Sequence, residues 1–92
     1  MLQIPVQLFV HAPDGRDLRH DAFTLVVNSH GCLLEMEVPP PAGQRMRLTN
    51  PQTGAHQTGT VLRSGRSRQG SFAVVFAFDQ AAPELWGFSL PR

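Results

Sequence analysis

Apolar and polar residues alternate along most of this chain, and this period of two constrains its fold more than any other feature. Segment 32–38 shows the alternation most clearly: its even-numbered residues, from Cys32 to Val38, are apolar, and Glu35 and Glu37 lie between them. Such a pattern is typical of a strand with one buried and one exposed face. Because similar short runs recur between glycines and prolines, we expect an all-β chain.

Six segments are predicted to be strands, separated by turn residues about every 8–12 residues. They are residues 2–10, 23–27, 32–38, 44–49, 55–64 and 71–78, with residues 12–15, 50–54 and 65–70 as turns or loops. The polar stretch 16–21 is interpreted as loop, and Val61 and Leu62 mark the centre of the fifth strand. The sixth strand is apolar on both faces, which predicts that both faces are covered.

The C-terminal segment differs from the strands. Pro83 suits the first turn of a helix and Gly87 suits its end, so residues 81–87 are predicted to form one or two helical turns. These turns would place Leu85 and Trp86 on the barrel or over its open end. Closure is favoured over an open sandwich because it removes exposed sheet edges. We therefore expect one domain over residues 1–92, a six-stranded antiparallel β-barrel with a short C-terminal helix.

The composition limits the classes of function. A net charge of +1 provides no general attraction to nucleic acid or to a membrane surface. No segment approaches the roughly 20 apolar residues of a membrane span, so membrane insertion is not expected. The single cysteine, Cys32, excludes an internal disulfide and fits the inward face of the third strand. The N-terminal residues lack the features of a signal peptide, which predicts a cytoplasmic location.

No set of residues points to catalysis or to a metal centre. The four histidines lack the spacing of metal ligands, and His30 with Cys32 supplies only a fragment of a tetrahedral site. No nucleophile, general base and orienting acid can be assembled from the sequence. The sequence therefore predicts a binding module rather than an enzyme, with no cofactor and no metal.

The polar residues between the second and third strands are the first candidate binding site. Asn28, Ser29, His30 and Gly31 separate two apolar runs, and loops between strands are where small barrels present ligand sites. Two interpretations stay open. The segment could be a ligand loop in which His30 stacks on a base or titrates near neutral pH. It could instead be a hairpin turn in which Asn28 and Gly31 supply positive φ angles and His30 is merely solvated.

All eight basic residues are arginines, a side chain suited to planar, bidentate binding of phosphate. The densest group is Arg63, Arg66 and Arg68, in and beside the loop before the sixth strand. An anionic partner could bind there, although exposed loop arginines commonly have no specific partner. The spread of the other arginines along the chain fits a general bias of composition.

Three segments of the chain resemble segments of the PilZ family of bacterial regulatory barrels. They are the strand–turn–strand segment 24–34, the segment 43–50 with its Gly-Gln-x-hydrophobic-x-Leu pattern, and the glycine-led last strand 70–78. The resemblance runs from about Ile4 to Trp86. It implies a six-stranded barrel in cyclic di-GMP signalling, a class in which many members bind that dinucleotide.

Family members that bind the dinucleotide carry Arg-x-x-x-Arg just before or at the first strand, where the guanidinium groups clamp phosphate and stack on guanine. No arginine precedes Arg16 in this sequence. Arg16 and Arg19 have a different spacing and follow the first predicted strand. The resemblance therefore offers Arg16 or Arg19 only as replacements for the missing arginine arm.

The second family motif is Asp/Asn-x-Ser-x-x-Gly at the turn between strands two and three. If Gly31 is the motif glycine, Val26 takes the place of the acid or asparagine, and Asn28 takes the place of the serine. If Asn28 is instead the first motif residue, His30 falls on the serine position and Leu33 replaces the glycine. Either alignment keeps part of the motif.

These departures predict a PilZ-like regulatory module that acts by contact with a protein partner and has weak or lost nucleotide binding. The barrel face, the turn 28–31 and Trp86 are the candidate contacts. The alternative is a direct cyclic di-GMP receptor with a reworked site, and its candidate ligand residues are Arg16, Arg19, Asn28, Ser29, His30 and Gly31. Nucleic acid is not expected as a partner.

Overall fold

A computed structural model describes residues 3–11, 15–67 and 70–88. These residues form a closed, six-stranded antiparallel barrel in the order β1-β2-β3-β6-β5-β4. The strands are β1 (Pro5–His11), β2 (Asp17–Asn28), β3 (Gly31–Met36), β4 (Arg45–Thr49), β5 (His56–Arg66) and β6 (Phe72–Phe78). The predicted all-β class and barrel closure are therefore confirmed.

The alternating apolar residues line the inside of the barrel. Leu8 of β1 lies opposite Leu48 of β4, and both side chains are fully buried, so each stabilises the fold by about 1.5–3 kcal/mol. The buried apolar set is Ile4, Val6, Leu8, Ala22, Cys32, Leu34, Met36, Met46, Leu48, Val61, Val74, Phe76, Leu85 and Trp86. Most inward positions predicted from the alternation belong to this set, while Leu2 lies outside the described residues.

The two ends of the barrel differ. One end, called here the capped end, carries the β2–β3 turn, the β4–β5 turn and the C-terminal segment 81–87. At the other end, called here the ribbon end, β1 and β2 continue as a two-stranded ribbon whose pairing extends to His11 and Asp17. The capped end holds the turn 28–31, the first candidate binding site predicted from the sequence.

The prediction of a loop at residues 16–21 is wrong, because β2 begins at Asp17 and pairs with β1 throughout this stretch. The ribbon projects beyond the core, and residues 17–19 are exposed. With no buried face over most of this stretch, the sequence carries no alternation to mark the strand.

One predicted inward position points outwards. Val38 follows the end of β3 and is 64% exposed, because the strand stops at Met36 rather than at residue 38. Leu62, predicted at the centre of the fifth strand, is 55% exposed because a bulge between Val61 and Arg63 breaks the alternation in β5. The outer side of β6 is half-buried, and no element among the described residues lies over it. The prediction that both faces of β6 are covered is therefore wrong for the described residues.

The predicted C-terminal helix is absent from the described residues, which contain no helix. Residues 82–87 instead form isolated turns, in which the N–H of Leu85 donates to the carbonyl of Ala82 and that of Gly87 donates to Glu84. Leu85 and Trp86 are nonetheless buried, so the predicted cover over one barrel end is present. No helix in the described part of the chain is long and apolar enough to cross a membrane.

Candidate functional site

The β2–β3 connection is a tight hairpin turn. Asn28 pairs with Gly31, which leaves Ser29 and His30 as the two loop residues. The side-chain Oδ1 of Asn28 accepts a hydrogen bond of 2.8 Å from the N–H of His30, so the amide holds the turn closed. Asn28 and His30 are exposed, whereas Ser29 is 1% exposed and cannot contact a ligand from solvent without a rearrangement.

The backbone carbonyls of this turn are held by the C-terminal segment and by the end of β6. The carbonyl of Asn28 accepts a hydrogen bond from Trp86 Nε1 at 3.3 Å, and that of Ser29 accepts one from the N–H of Ala82 at 2.7 Å. The carbonyl of His30 accepts one from the N–H of Phe78 at 2.8 Å. The indole of Trp86 also packs on Phe78, with ring centroids 6.1 Å apart. Trp86 is only 3% exposed, so the prediction that it is a partner contact is wrong. Its position makes it a structural support of the turn.

Gly31 is required because of close packing against β6, and not because of its backbone angle. Neither Asn28 nor Gly31 has a positive φ, so that part of the interpretation is wrong. A Cβ at Gly31 would instead collide with the carbonyl oxygen of Phe76 on β6. The glycine therefore allows β6 to approach β3 closely beside the turn.

A row of side chains crosses the barrel exterior just below this turn. The strand register places Val26 beside Leu33, Leu33 beside Val75, and Val75 beside Arg63. We call these four residues the outer face. They line a shallow depression of about 430 Å³. Val26 is 55% exposed, and the outer face is consequently an apolar surface with one guanidinium group at its border.

The depression also borders the turn. Asn28 and His30 lie at its rim, and Gly31 and Ala77, which pair across β3 and β6, lack side chains large enough to fill it. Arg63 has no ion-pair or hydrogen-bond partner among the described residues. The structure therefore brings one free guanidinium group, one imidazole and one amide to the same depression.

Arg63 lies beside the turn, although the sequence predicted it only as part of the basic group before the sixth strand. Strict alternation from the buried Val61 would point Arg63 into the core. The bulge at Leu62 shifts the alternation by one residue and turns Arg63 outwards, opposite Val75. A charged residue two positions after a buried valine was the only signal of this bulge.

Arg16 and Arg19 are not brought to the turn. Arg19 lies nine residues before Asn28 on the same strand, which places it about 30 Å away at the usual rise per residue. Its guanidinium group contacts Asp21 at 3.4 Å, and Arg16 precedes β2 at the ribbon end. Of the predicted ligand residues, only 28–31 are together in space, and Ser29 is buried among them.

The other arginines of the predicted basic group do not form a cluster at this site. The guanidinium group of Arg66 lies over the ring of Phe72, 5.7 Å from its centroid. Arg68 lies outside the described residues. Arg66 is opposite Phe72 at the ribbon end of β5, so it is separated from the depression beside the turn.

The buried cysteine and the potential metal ligands add no second site among the described residues. Burial raises the pKa of the Cys32 thiol, which keeps it protonated and unreactive in the core. No group of three or more histidine, cysteine, aspartate or glutamate side chains in the described residues could hold a metal ion. The buried side-chain polar atoms of these residues all have hydrogen-bond partners.

Comparisons of the chain with models of protein families, with curated proteins and with solved structures found no match.

Proposed function

We propose that this chain is a PilZ-like, non-enzymatic regulatory module that acts by binding a protein partner at the outer face. The observation that carries the proposal is the row from Val26 to Arg63, in which apolar side chains and a free arginine lie together on the barrel exterior. Interfaces are enriched in arginine beside apolar side chains that become buried on binding. The partner surface that fits this row is apolar, with a carboxylate opposite Arg63.

The shape of the depression supports a protein rather than a small molecule as the ligand. Small-molecule sites bury most of the ligand surface in a concave pocket. The depression beside the turn is shallow and open, because its floor is the surface of the sheet. Leu62, which is 55% exposed at the bulge next to Arg63, extends the apolar surface available to a broad partner. Two half-exposed aliphatic side chains could each contribute about 1 kcal/mol when covered.

Replacement of Val26 by glutamate should abolish partner binding, because it places a charge on the most exposed apolar side chain of the outer face. The matched control is Val38→Glu, which changes the same residue type at a site with 64% exposure away from that face. The measurement is co-purification of the tagged chain from its own cells, with quantitation of partner per barrel. We expect a near-stoichiometric partner with the wild type and with Val38→Glu, and its loss with Val26→Glu.

Equal recovery of partners with both variants, or no partner with the wild type, would contradict this proposal. Circular dichroism and thermal melting of each variant separate loss of binding from loss of folding. Both substitutions are at exposed positions, where changes of stability are usually within about 0.5 kcal/mol.

A second candidate function is direct binding of cyclic di-GMP, and it is favoured by the meeting of Arg63, His30 and Asn28 at one depression. Arg63 would contact phosphate, since guanidinium groups bind phosphate through paired hydrogen bonds. Isothermal titration should then show binding that Arg63→Ala weakens by at least about tenfold, the scale of one charge-assisted hydrogen bond. Arg66→Ala is the control, because Arg66 lies on the same strand but outside the depression.

The absence of heat and of a thermal shift at about 100 μM cyclic di-GMP would exclude this second function, because a ligand present at its Kd already stabilises a protein measurably. Equal weakening by the two arginine substitutions would point to general electrostatics instead.

A further inference from the structure

The β2 strand has an edge without a strand partner at the ribbon end. Pairing with β3 covers β2 only from Phe23 to Asn28, whereas pairing with β1 continues from Phe23 back to Asp17. Within the described residues, no strand pairs with the other side of residues 17–22. This open stretch is about 20 Å long, the length of an ordinary strand.

The register identifies the backbone groups that point to the open edge. The N–H of Thr24 donates to the carbonyl of Ile4 at 3.0 Å, so Thr24 directs its backbone groups towards β1. Backbone groups in an antiparallel strand point alternately to the two sides. The pairing of β1 with β2 is regular from Phe23 to Asp17, so the odd-numbered residues, including Arg19 and Asp21, direct their N–H and C=O groups away from β1.

A groove runs beside this edge. It has a volume of about 640 Å³, and Asp21 and Phe23 of β2 lie on one wall while Glu37 and Val38, just after β3, lie on the other. Phe23 is 51% exposed and Val38 is 64% exposed, so each wall offers an apolar side chain. The groove occupies the place that β3 would fill if it continued alongside β2.

The charges around the groove are mainly negative. Asp21, Glu35 and Glu37 supply three carboxylates to its lining, and Arg19 supplies the one guanidinium group. Arg19 is already paired with Asp21 at 3.4 Å, and Glu35 accepts a hydrogen bond of 2.6 Å from the hydroxyl of Ser71. A ligand with positive side chains therefore complements this groove, whereas an acidic one is repelled.

We propose that an extended peptide segment with basic side chains binds in this groove by adding to β2 as a further strand. Its backbone pairs with the open groups of Arg19 and Asp21, and its basic side chains face the carboxylates. The charges on the edge discourage pairing with uncharged strands. Phe23 of this groove lies about 17 Å from Asn28 of the turn at the usual rise per residue, and the peptide site does not depend on the function proposed for the outer face.

The proposal can be tested with the whole chain and a synthetic acetylated hexapeptide amide of alternating valine and arginine. Amide hydrogen exchange followed by NMR should show that the N–H groups of Arg19 and Asp21 gain protection of about tenfold or more, as expected when an exposed amide enters a ladder. The N–H of His20, which already faces β1, should be unchanged. A peptide with glutamate in place of arginine should not bind, and one with proline in place of valine should not bind either.

Two substitutions at one position separate the backbone from the side chain. Arg19→Pro removes an open-edge N–H and should weaken the peptide by roughly tenfold, the effect of about one backbone hydrogen bond. Arg19→Ala keeps that N–H, removes a like charge, and should bind the peptide at least as tightly as the wild type. Thermal melting establishes that both variants fold, and edge strands tolerate proline where its missing N–H faces solvent.

Failure of the valine–arginine peptide to bind at about 1 mM would overturn the proposal, because that limit corresponds to negligible affinity. Equal binding by the glutamate peptide, or by folded Arg19→Pro, would also overturn it. The Val26→Glu variant should bind the peptide normally, so failure here and failure at the outer face are distinguishable.

Discussion

At Gly31 the absence of a side chain matters more than the backbone angle. The residue has no positive φ, and the space that a Cβ would need is occupied by the carbonyl of Phe76. Gly31→Ala should therefore destabilise the barrel by about 1–3 kcal/mol, the usual cost of forcing an extra carbon into a packed site. The measurement is the free energy of unfolding from urea denaturation. A loss of this size is a large fraction of the roughly 5–15 kcal/mol that holds a small domain folded.

Gly65→Ala is the matched control for this substitution. Gly65 also lies in a strand without a positive φ, but no atom is within 4 Å of its added Cβ. We expect its free energy of unfolding to stay within about 0.5–1 kcal/mol of the wild type or to rise slightly, since alanine restricts the unfolded chain. Equal losses for the two variants would show that close approach is not the reason for glycine at position 31.

At the scale of the elements, the hairpin turn and the C-terminal segment form one unit. Each of the three carbonyls of residues 28–30 accepts one hydrogen bond, and the three donors are Trp86, Ala82 and Phe78. The side-chain amide of Asn50, which is fully buried, adds a hydrogen bond to the carbonyl of Leu85 at 3.1 Å. The turn, which the sequence left open as either a ligand loop or a hairpin turn, is therefore held in place from inside the capped end. Only Asn28 and His30 expose side chains from it.

The sequence predicts the strands that have one buried and one exposed face. It does not predict stretches of strand that lack a buried face. Alternation located β3 and β4 nearly to their ends, because Leu34 and Leu48 mark their buried faces. It missed the first half of β2, where most side chains are exposed and only β1 pairs with the strand. It also gave no sign of the bulge at Leu62, because a bulge changes the alternation without a change in composition.

The candidate site was predictable to a similar degree. The turn 28–31 was identified from its polar residues between two apolar runs, and the structure brings these residues together. The association of Arg63 with the turn was not predictable, because it depends on the register across β5, β6 and β3. Register is a long-range property, set by bulges and turns that a local pattern does not reveal. The same limit hid the open edge at Arg19.

At the scale of the whole molecule, one exterior ion pair links strands across the closed barrel. Arg45 of β4 makes two hydrogen bonds of 2.6 Å to the carboxylate of Asp79, which follows β6. Its guanidinium group also donates to the hydroxyl of Thr60 on the intervening strand β5, at 2.9 Å. This bidentate contact spans three strands, so it resists separation of β4, β5 and β6 as a group.

The Arg45–Asp79 pair should make the stability of the barrel depend on pH in the acid range. Hydrogen bonds from Arg45 lower the pKa of Asp79 below its ordinary value of about 3.9. A carboxylate with a depressed folded pKa stabilises the fold above its unfolded pKa, and the contribution is lost as the pH falls through the folded pKa. Thermal melting should therefore show a lower Tm for Asp79→Asn than for the wild type at pH 7, with the difference shrinking below about pH 4. Both side chains are partly solvated, so we expect a small difference.

The control for this prediction is the same substitution in an Arg45→Ala background. There, Asp79→Asn should leave both the Tm at pH 7 and its dependence on pH nearly unchanged, because the ion pair is already absent. An undiminished effect in that background would show that Asp79 acts through another partner.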